Sequence, residues 1–87
     1  MSKKSVVSMK NGVRAYVLVE TVPGRVEAIV RSLDKMSQVR MVDPVAGPFD
    51  IVIQLEVGAV KDFAHVVAGR IGGLKGVTRT TTLLCTS

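Results

Sequence analysis

The first half of the chain predicts a strand, an amphipathic helix and a second strand. Residues 14–22 contain an apolar, β-forming run at positions 15–19 and are predicted to form a strand that Pro23-Gly24 ends. Over residues 23–37 apolar side chains recur every three or four positions, which is typical of a helix with a proline in its first turn. Residues 39–46 are again β-prone, and Pro44, which lacks an N–H donor, favours a sheet edge or a bulge there.

The second half predicts a strand, a helix and a last strand. Residues 49–57 alternate apolar and polar side chains, which is the clearest strand signal in the chain. Residues 59–74 show helical spacing and end at a glycine pair, and residues 76–85 are rich in threonine and aliphatic residues. The complete order predicts an α+β, ferredoxin-like βαββαβ sandwich, a four-stranded antiparallel sheet with two helices on one face.

The other face of such a sheet has no cover within the chain. Either set of alternate residues in the first strand is largely apolar, and we expect Val42, Val52 and Leu84 to add apolar side chains to this face. An exposed apolar face of this kind favours a partner surface. The sequence therefore predicts self-association, with at least a dimer.

Residues 1–13 are predicted to be a basic N-terminal extension of a domain that occupies residues 14–87. Apolar residues at positions 6–9 and 13 flank Asn11-Gly12, a dipeptide that favours tight hairpins. An extra strand could therefore pair with the first core strand, and the alternative is a frayed terminus.

Net charge argues against a nucleic-acid-binding surface. The chain carries a formal charge of +5, but residues 1–14 supply +4 of it and residues 15–87 carry only +1. Binding to phosphates requires clustered cations on one face, and stacking on bases requires aromatic residues, which make up 3% of this chain. We expect no direct contact with nucleic acid.

Cysteine content and hydropathy exclude several other classes. Cys85 is the single cysteine, so no internal disulfide can form, and no second cysteine or histidine lies at metal-ligand spacing from it. No apolar run reaches the roughly eighteen residues of a membrane span, and no signal-peptide pattern is present. We expect a cytoplasmic protein with no metal, no cofactor and no membrane contact.

Catalytic chemistry has little support in the sequence. His65 is the only histidine, it lies off the apolar face of the second predicted helix, and no sequence signal pairs it with a nucleophile. Gly69, Gly72 and Gly73 end a helical pattern and do not open a helix after a strand, so they do not form a phosphate-binding loop. We predict no catalytic residues.

Two loops at strand ends carry the candidate binding chemistry. In residues 46–50 a glycine frees the backbone beside Phe49 and Asp50, and the carboxylate could contact an ammonium group. In residues 76–82 alternate threonine hydroxyls could donate to a carboxylate. A ligand with both groups is an amino acid. The alternatives are a turn contact for Asp50 and ordinary β-propensity for the threonines.

Residues 15–85 resemble the effector-binding C-terminal domain of the Lrp/AsnC feast/famine regulators, also called the RAM domain. The resemblance rests on AYVLVETVPGR, VAGPFDIVIQLEV and GLKGVTRTTTLL, in that order. It implies a homodimer formed through the sheet and a ring of dimers, an octamer or a decamer. It also implies an amino acid or similar small effector between dimers. Carried over by position, the ligand-binding residues are Pro44, Gly47, Pro48, Phe49, Asp50, Val60, Thr80, Thr82 and Leu83.

The sequence departs from this family in two respects. The family usually has a charged or polar residue at the position of Pro48, and its full-length members begin with a helix-turn-helix, which 14 residues cannot hold. We therefore expect a stand-alone regulatory module that could assemble with a full-length regulator. The alternatives are a small dimeric ferredoxin-like enzyme, monooxygenase- or isomerase-like, with His65 as its distinctive residue, and a nucleic-acid-binding βαββαβ domain.

Overall fold

A computed structural model describes residues 2–3 and 12–86 of the chain. It confirms the predicted βαββαβ order and adds one short strand before it. In chain order the elements are β1 (Ser2–Lys3), β2 (Val13–Thr21), α1 (Val26–Asp34), β3 (Val39–Pro44), β4 (Ile51–Val57), α2 (Lys61–Ala64), a π-helical continuation of α2 (His65–Ile71), and β5 (Val77–Leu84).

The described strands form one antiparallel sheet with the order β1-β3-β4-β2-β5. Leaving β1 aside, β2 and β4 lie in the centre, and each helix connects two parallel strands across one intervening strand. This is the split βαβ topology of ferredoxin-like folds. The predicted fold class is therefore confirmed.

One face of the sheet and both helices enclose a single apolar core. The strict alternation of β2 and β4 places every second side chain on this face, where aliphatic residues of α1 and of the π-helical segment cover it. Complete burial of one such side chain contributes roughly 1.5–3 kcal/mol. The residues with no exposed area are Ala15, Val17, Val19, Leu33, Val39, Val42, Ile51, Ile53, Leu55 and Ile71.

The second helix differs from the regular helix that the sequence predicts over residues 59–74. Only four residues are α-helical before the backbone widens into a π-helix, where the N–H of Gly72 donates to the carbonyl of Val67 at 2.7 Å, five residues back. Phe63, Val66 and Ile71 are consequently its buried residues. The five-residue step from Val66 to Ile71 suits the wider turn.

The sequence predicts Val42 and Leu84 on the sheet face opposite the helices, but both lie on the helix side. Val42 is fully buried beneath the helices, because the register shift between Val39 and Met41 changes which side chains of β3 face the core. Leu84 pairs with Ala15, a core residue, and so it lies on the helix side at the sheet edge. The alternation of apolar and polar residues in the sequence does not predict the bulge in β3.

The sheet face opposite the helices still carries a strip of apolar side chains, in which Val52 lies as expected. Cross-strand pairing joins Tyr16 to Leu83 and Leu18 to Val52, and Met41 lies beyond them on β3. Tyr16 is 38% exposed and Leu83 is 51% exposed, while the other three are half-buried. These five residues are called the open-face strip below.

Within the N-terminal extension, residues 2–3 form β1 and residues 12–13 lead into β2. Ser2 pairs with Val42 and Lys3 pairs with Met41, so β1 lies beside β3 at the sheet edge. The expected hairpin at residues 11–12 lies largely outside the described residues and stays a prediction. The expected pairing of an extra strand with the first core strand is corrected, because β2 is already flanked by β4 and β5 and the described extra strand pairs with β3.

Candidate functional site

Five of the residues predicted to bind ligand lie in the β3–β4 hairpin. Gly47 has a φ of 136°, a backbone conformation that favours glycine, as the sequence pattern of this loop suggests. Phe49 and Asp50 are half-buried, and the remaining three are exposed. These five residues are Pro44, Gly47, Pro48, Phe49 and Asp50.

Asp50 holds the hairpin to the end of β2. Its Oδ2 accepts the backbone N–H of Thr21 at 2.8 Å, and its own N–H donates to the carbonyl of Val19 at 2.9 Å. Its carbonyl accepts the N–H of Val45, which closes the hairpin. The carboxylate therefore makes a contact between strands, which differs from both the turn contact and the ammonium contact considered for it in the sequence.

The threonines of β5 do not form one continuous hydroxyl face. Thr80 and Thr82 pair with Val19 and Val17, so both lie on the helix side of this edge strand. The hydroxyl of Thr78 donates to the carbonyl of Glu20 at 3.1 Å. Thr80 and Thr82 remain as the pair that can present hydroxyls together.

The predicted binding residues fall at both ends of the sheet. Thr80 is level with the hairpin, because Val19 pairs with both Thr80 and Ile51. Val60 follows the opposite end of β4, and seven strand residues span about 20 Å. Leu83 lies toward that far end and on the opposite face. A single small ligand therefore cannot contact both groups within one chain.

The structure also forms a cavity that none of the predicted residues lines. Its volume is about 390 Å³, and it lies between the start of β3, the end of β4 and the beginning of the π-helical segment. The lining residues are Ser37, Gln38, Arg40, Glu56, Val57, Gly58, Asp62, His65 and Val66.

A buried ion pair forms part of the cavity wall. Glu56 is only 3% exposed, and Arg40 Nε donates to its Oε1 at 3.2 Å. Arg40 Nη1 also donates to the carbonyl of Ser37 at 3.0 Å, which fixes the guanidinium in place. A carboxylate buried to this extent costs several kcal/mol unless a cation compensates it, and Arg40, itself 25% exposed, is one such cation.

The facing wall comes from the second helix and the loop before it. Asp62 Oδ2 accepts the N–H of Ala59 at 3.2 Å, which orients that carboxylate at the start of the helix. Arg70 Nη1 donates to Gln38 Oε1 at 3.2 Å and thereby joins the helix to the start of β3. Sequence reasoning noted His65 but missed this cavity, because the bulge in β3 brings Arg40 to Glu56.

The described part of the chain contains neither a metal centre nor a membrane-spanning helix. No group of three or more histidine, cysteine, aspartate or glutamate side chains there is placed to hold a metal ion. None of its helices is long and apolar enough to cross a membrane.

Comparison with protein families gives a match over nearly the whole described domain. The model of the Lrp/AsnC ligand binding domain matches residues 14–87. Among solved structures, TTHA0845 from Thermus thermophilus is 35% identical with a TM-score of 0.82, covering 86% of this chain and 94% of that one. No curated protein matches.

Two regulators share the fold at lower identity. AsnC of E. coli has a TM-score of 0.84 at 13% identity, covering 97% of this chain and 60% of AsnC. The transcriptional regulator NMB0573 of Neisseria meningitidis, solved with L-Met, has a TM-score of 0.82 at 15% identity, covering 99% of this chain and 60% of the regulator. This chain therefore spans about three fifths of each regulator.

The contact between Asp50 and Thr21 predicts a difference between two substitutions. Asp50→Ala removes the acceptor and leaves a partly buried N–H without a partner, which costs about 1–3 kcal/mol. Asp50→Asn keeps an amide oxygen at the same position and should cost clearly less. Thermal unfolding at one fixed protein concentration measures both. Equal melting temperatures for the two variants would show that this hydrogen bond does not hold the hairpin.

Proposed function

The chain belongs to the Lrp/AsnC ligand-binding domain family, and we propose that it is an oligomeric regulatory module that senses an amino acid or a similar small molecule. The family match over residues 14–87 carries the proposal. Structural likeness to AsnC and to NMB0573, a transcriptional regulator solved with L-Met, supports the regulatory class and the type of ligand.

A second copy of the chain covers the open-face strip in this proposal. The strip lies on the side of the sheet without helices, and Tyr16 and Leu83 are substantially exposed there. Burying apolar surface contributes roughly 25 cal/mol per Å², from which the cost of association must be subtracted. The dimers then assemble into a ring, an octamer or a decamer.

The effector lies between dimers in this arrangement. The hairpin with Asp50 and the opposite end with Val60 are about 20 Å apart in one chain, so a single small ligand reaches both groups only where two chains meet. Thr80 and Thr82 supply hydroxyls for the carboxylate of the ligand. This geometry supports an effector site between two chains.

In this proposal the chain acts on transcription through a partner protein that binds DNA. Residues 15–87 carry a net charge of only +1, which supports a module that does not itself bind the phosphates of DNA. A full-length Lrp/AsnC regulator in the cytoplasm is the partner that the fold suits, by assembly of like domains. The chain acts in this scheme by binding, without catalysis.

Two neighbouring leucines on β5 provide a matched test of the dimer. Leu83 is 51% exposed on the open-face strip, and Leu84 is 46% exposed on the opposite face. Leu83→Asp should weaken the dimer at least tenfold, because a carboxylate would be buried without a cation. Leu84→Asp should leave the dimer intact. Sedimentation velocity over a concentration series measures both association constants.

Circular dichroism of both variants serves as the folding control for this test. If Leu84→Asp dissociates the dimer as strongly as Leu83→Asp does, the interface is not the open-face strip. An unchanged association constant for Leu83→Asp leads to the same conclusion.

A screen of the twenty amino acids by thermal shift tests the ligand. A ligand that binds the native state at a hundred times its dissociation constant adds about 2.7 kcal/mol of stability. Thr82→Val removes one hydroxyl at nearly constant volume, and it should weaken binding about ten- to a hundredfold if that hydroxyl meets a carboxylate. Thr86→Val, outside the predicted site, is the control. Calorimetric titration measures the ligand affinity of wild type and both variants. Equal affinities of wild type and Thr82→Val would show that Thr82 does not belong to the site.

A further inference from the structure

The cavity between β3, β4 and the π-helical segment has the properties of a binding site. We propose that it binds a small zwitterion, with the carboxylate at Arg40 and the ammonium group at Asp62, separately from the residues predicted to bind the effector. The juxtaposition of a fixed guanidinium and a carboxylate across one cavity carries the proposal. It does not depend on the proposed function.

The cavity has the size of a small-ligand site. Its volume of about 390 Å³ lies within the range of roughly 300–1,000 Å³ typical of such pockets. Val57 and Val66 are both nearly buried and supply apolar surface to its wall. Such a wall accepts the aliphatic part of a molecule whose charged groups bind elsewhere.

Arg40 and Asp62, which carry opposite charges, can each make further hydrogen bonds to a ligand. A guanidinium has five N–H donors, and the contacts of Arg40 with Glu56 and Ser37 use two of them. An ionised carboxylate accepts several hydrogen bonds, and one oxygen of Asp62 is bound to the N–H of Ala59. An anion alone would leave Asp62 without a partner in the ligand, and a cation alone would leave the spare N–H donors of Arg40 unused. A molecule with both charges suits both groups.

The wall that faces the ion pair is the unusual part of the fold. The π-helical segment begins at His65, and both His65 and Val66 line the cavity. π-helical turns are rare and occur frequently at functional sites. Arg70, near the end of the segment, binds Gln38 on the opposite rim, so the wider helix is fixed across the cavity. The backbone irregularity and the charged cavity therefore coincide.

The cavity and the hairpin are separate places in one chain. Glu56 and Val57 lie at the end of β4, whereas the hairpin precedes its first residue, Ile51, about 20 Å away. A ligand in the cavity therefore does not contact Asp50. Thr82, the residue varied to test the effector site, does not line the cavity, so the two proposals can be tested with different variants.

His65 provides a unique reporter because it is the only histidine in the chain. The imidazole signal of full-length protein labelled with ¹³C at histidine is followed by NMR at fixed pH during titration with each of the twenty L-amino acids. At least one of them should shift this signal saturably. Its N-acetyl and amide derivatives, which each lack one charge, should bind about tenfold or more weakly.

Asp62→Asn is the variant that tests the ammonium contact. It keeps an oxygen that can accept from Ala59, and it should weaken the binding seen at His65 about tenfold or more. Glu27→Gln, which removes one negative charge from the exposed face of α1, is the matched control and should leave the affinity unchanged. Circular dichroism verifies that both variants are folded.

Each remaining outcome separates this proposal from the proposed function. If an amino acid binds by calorimetry and Thr82→Val weakens it while the His65 signal stays fixed, the cavity proposal is wrong and the effector site stands. Equal affinities of a zwitterion and its derivatives, or of wild type and Asp62→Asn, also overturn the cavity proposal. So does the absence of any shift of His65 with all twenty amino acids.

Discussion

Burial of one sheet face beneath two helices is the constraint on which the rest of the structure depends. The central strand β2 places Ala15, Val17 and Val19 against the helices without exposed area. The alternate residues Tyr16 and Leu18 must then point to the other side, where none of the described helices lies. Because that side is also apolar, the fold that makes the core creates a surface suited to a second copy. The core and the open-face strip thus follow from the same alternation.

The sequence predicts this architecture wherever side-chain period and strand geometry agree. In β4 the predicted alternation is observed, since Ile51, Ile53 and Leu55 all face the core. It fails in β3, where a register shift places Val42 with the core, and in the second helix, where a π-helical turn buries Val66. Both irregularities change the phase of the side chains without altering the type of element, so hydropathy does not reveal them.

The candidate site, like the fold, is predicted by the sequence only in part. The loop with Gly47 and Asp50 is recognisable from local chemistry, but the bond from Thr21 to the Asp50 carboxylate joins residues 29 apart and requires the folded sheet. The charged cavity could not be predicted, because Arg40 reaches Glu56 across the bulge of β3. Local patterns identify which residues can bind, and tertiary contacts decide which of them meet.

Tyr16 offers the most direct test of the central claim that a second copy covers the open-face strip. It is the single tyrosine in a chain without tryptophan, and it lies on the strip. Quenching of tyrosine fluorescence by acrylamide should be weak at micromolar protein and should increase as dilution separates the copies. Quenching that is strong and independent of protein concentration, in a folded chain, would contradict the account.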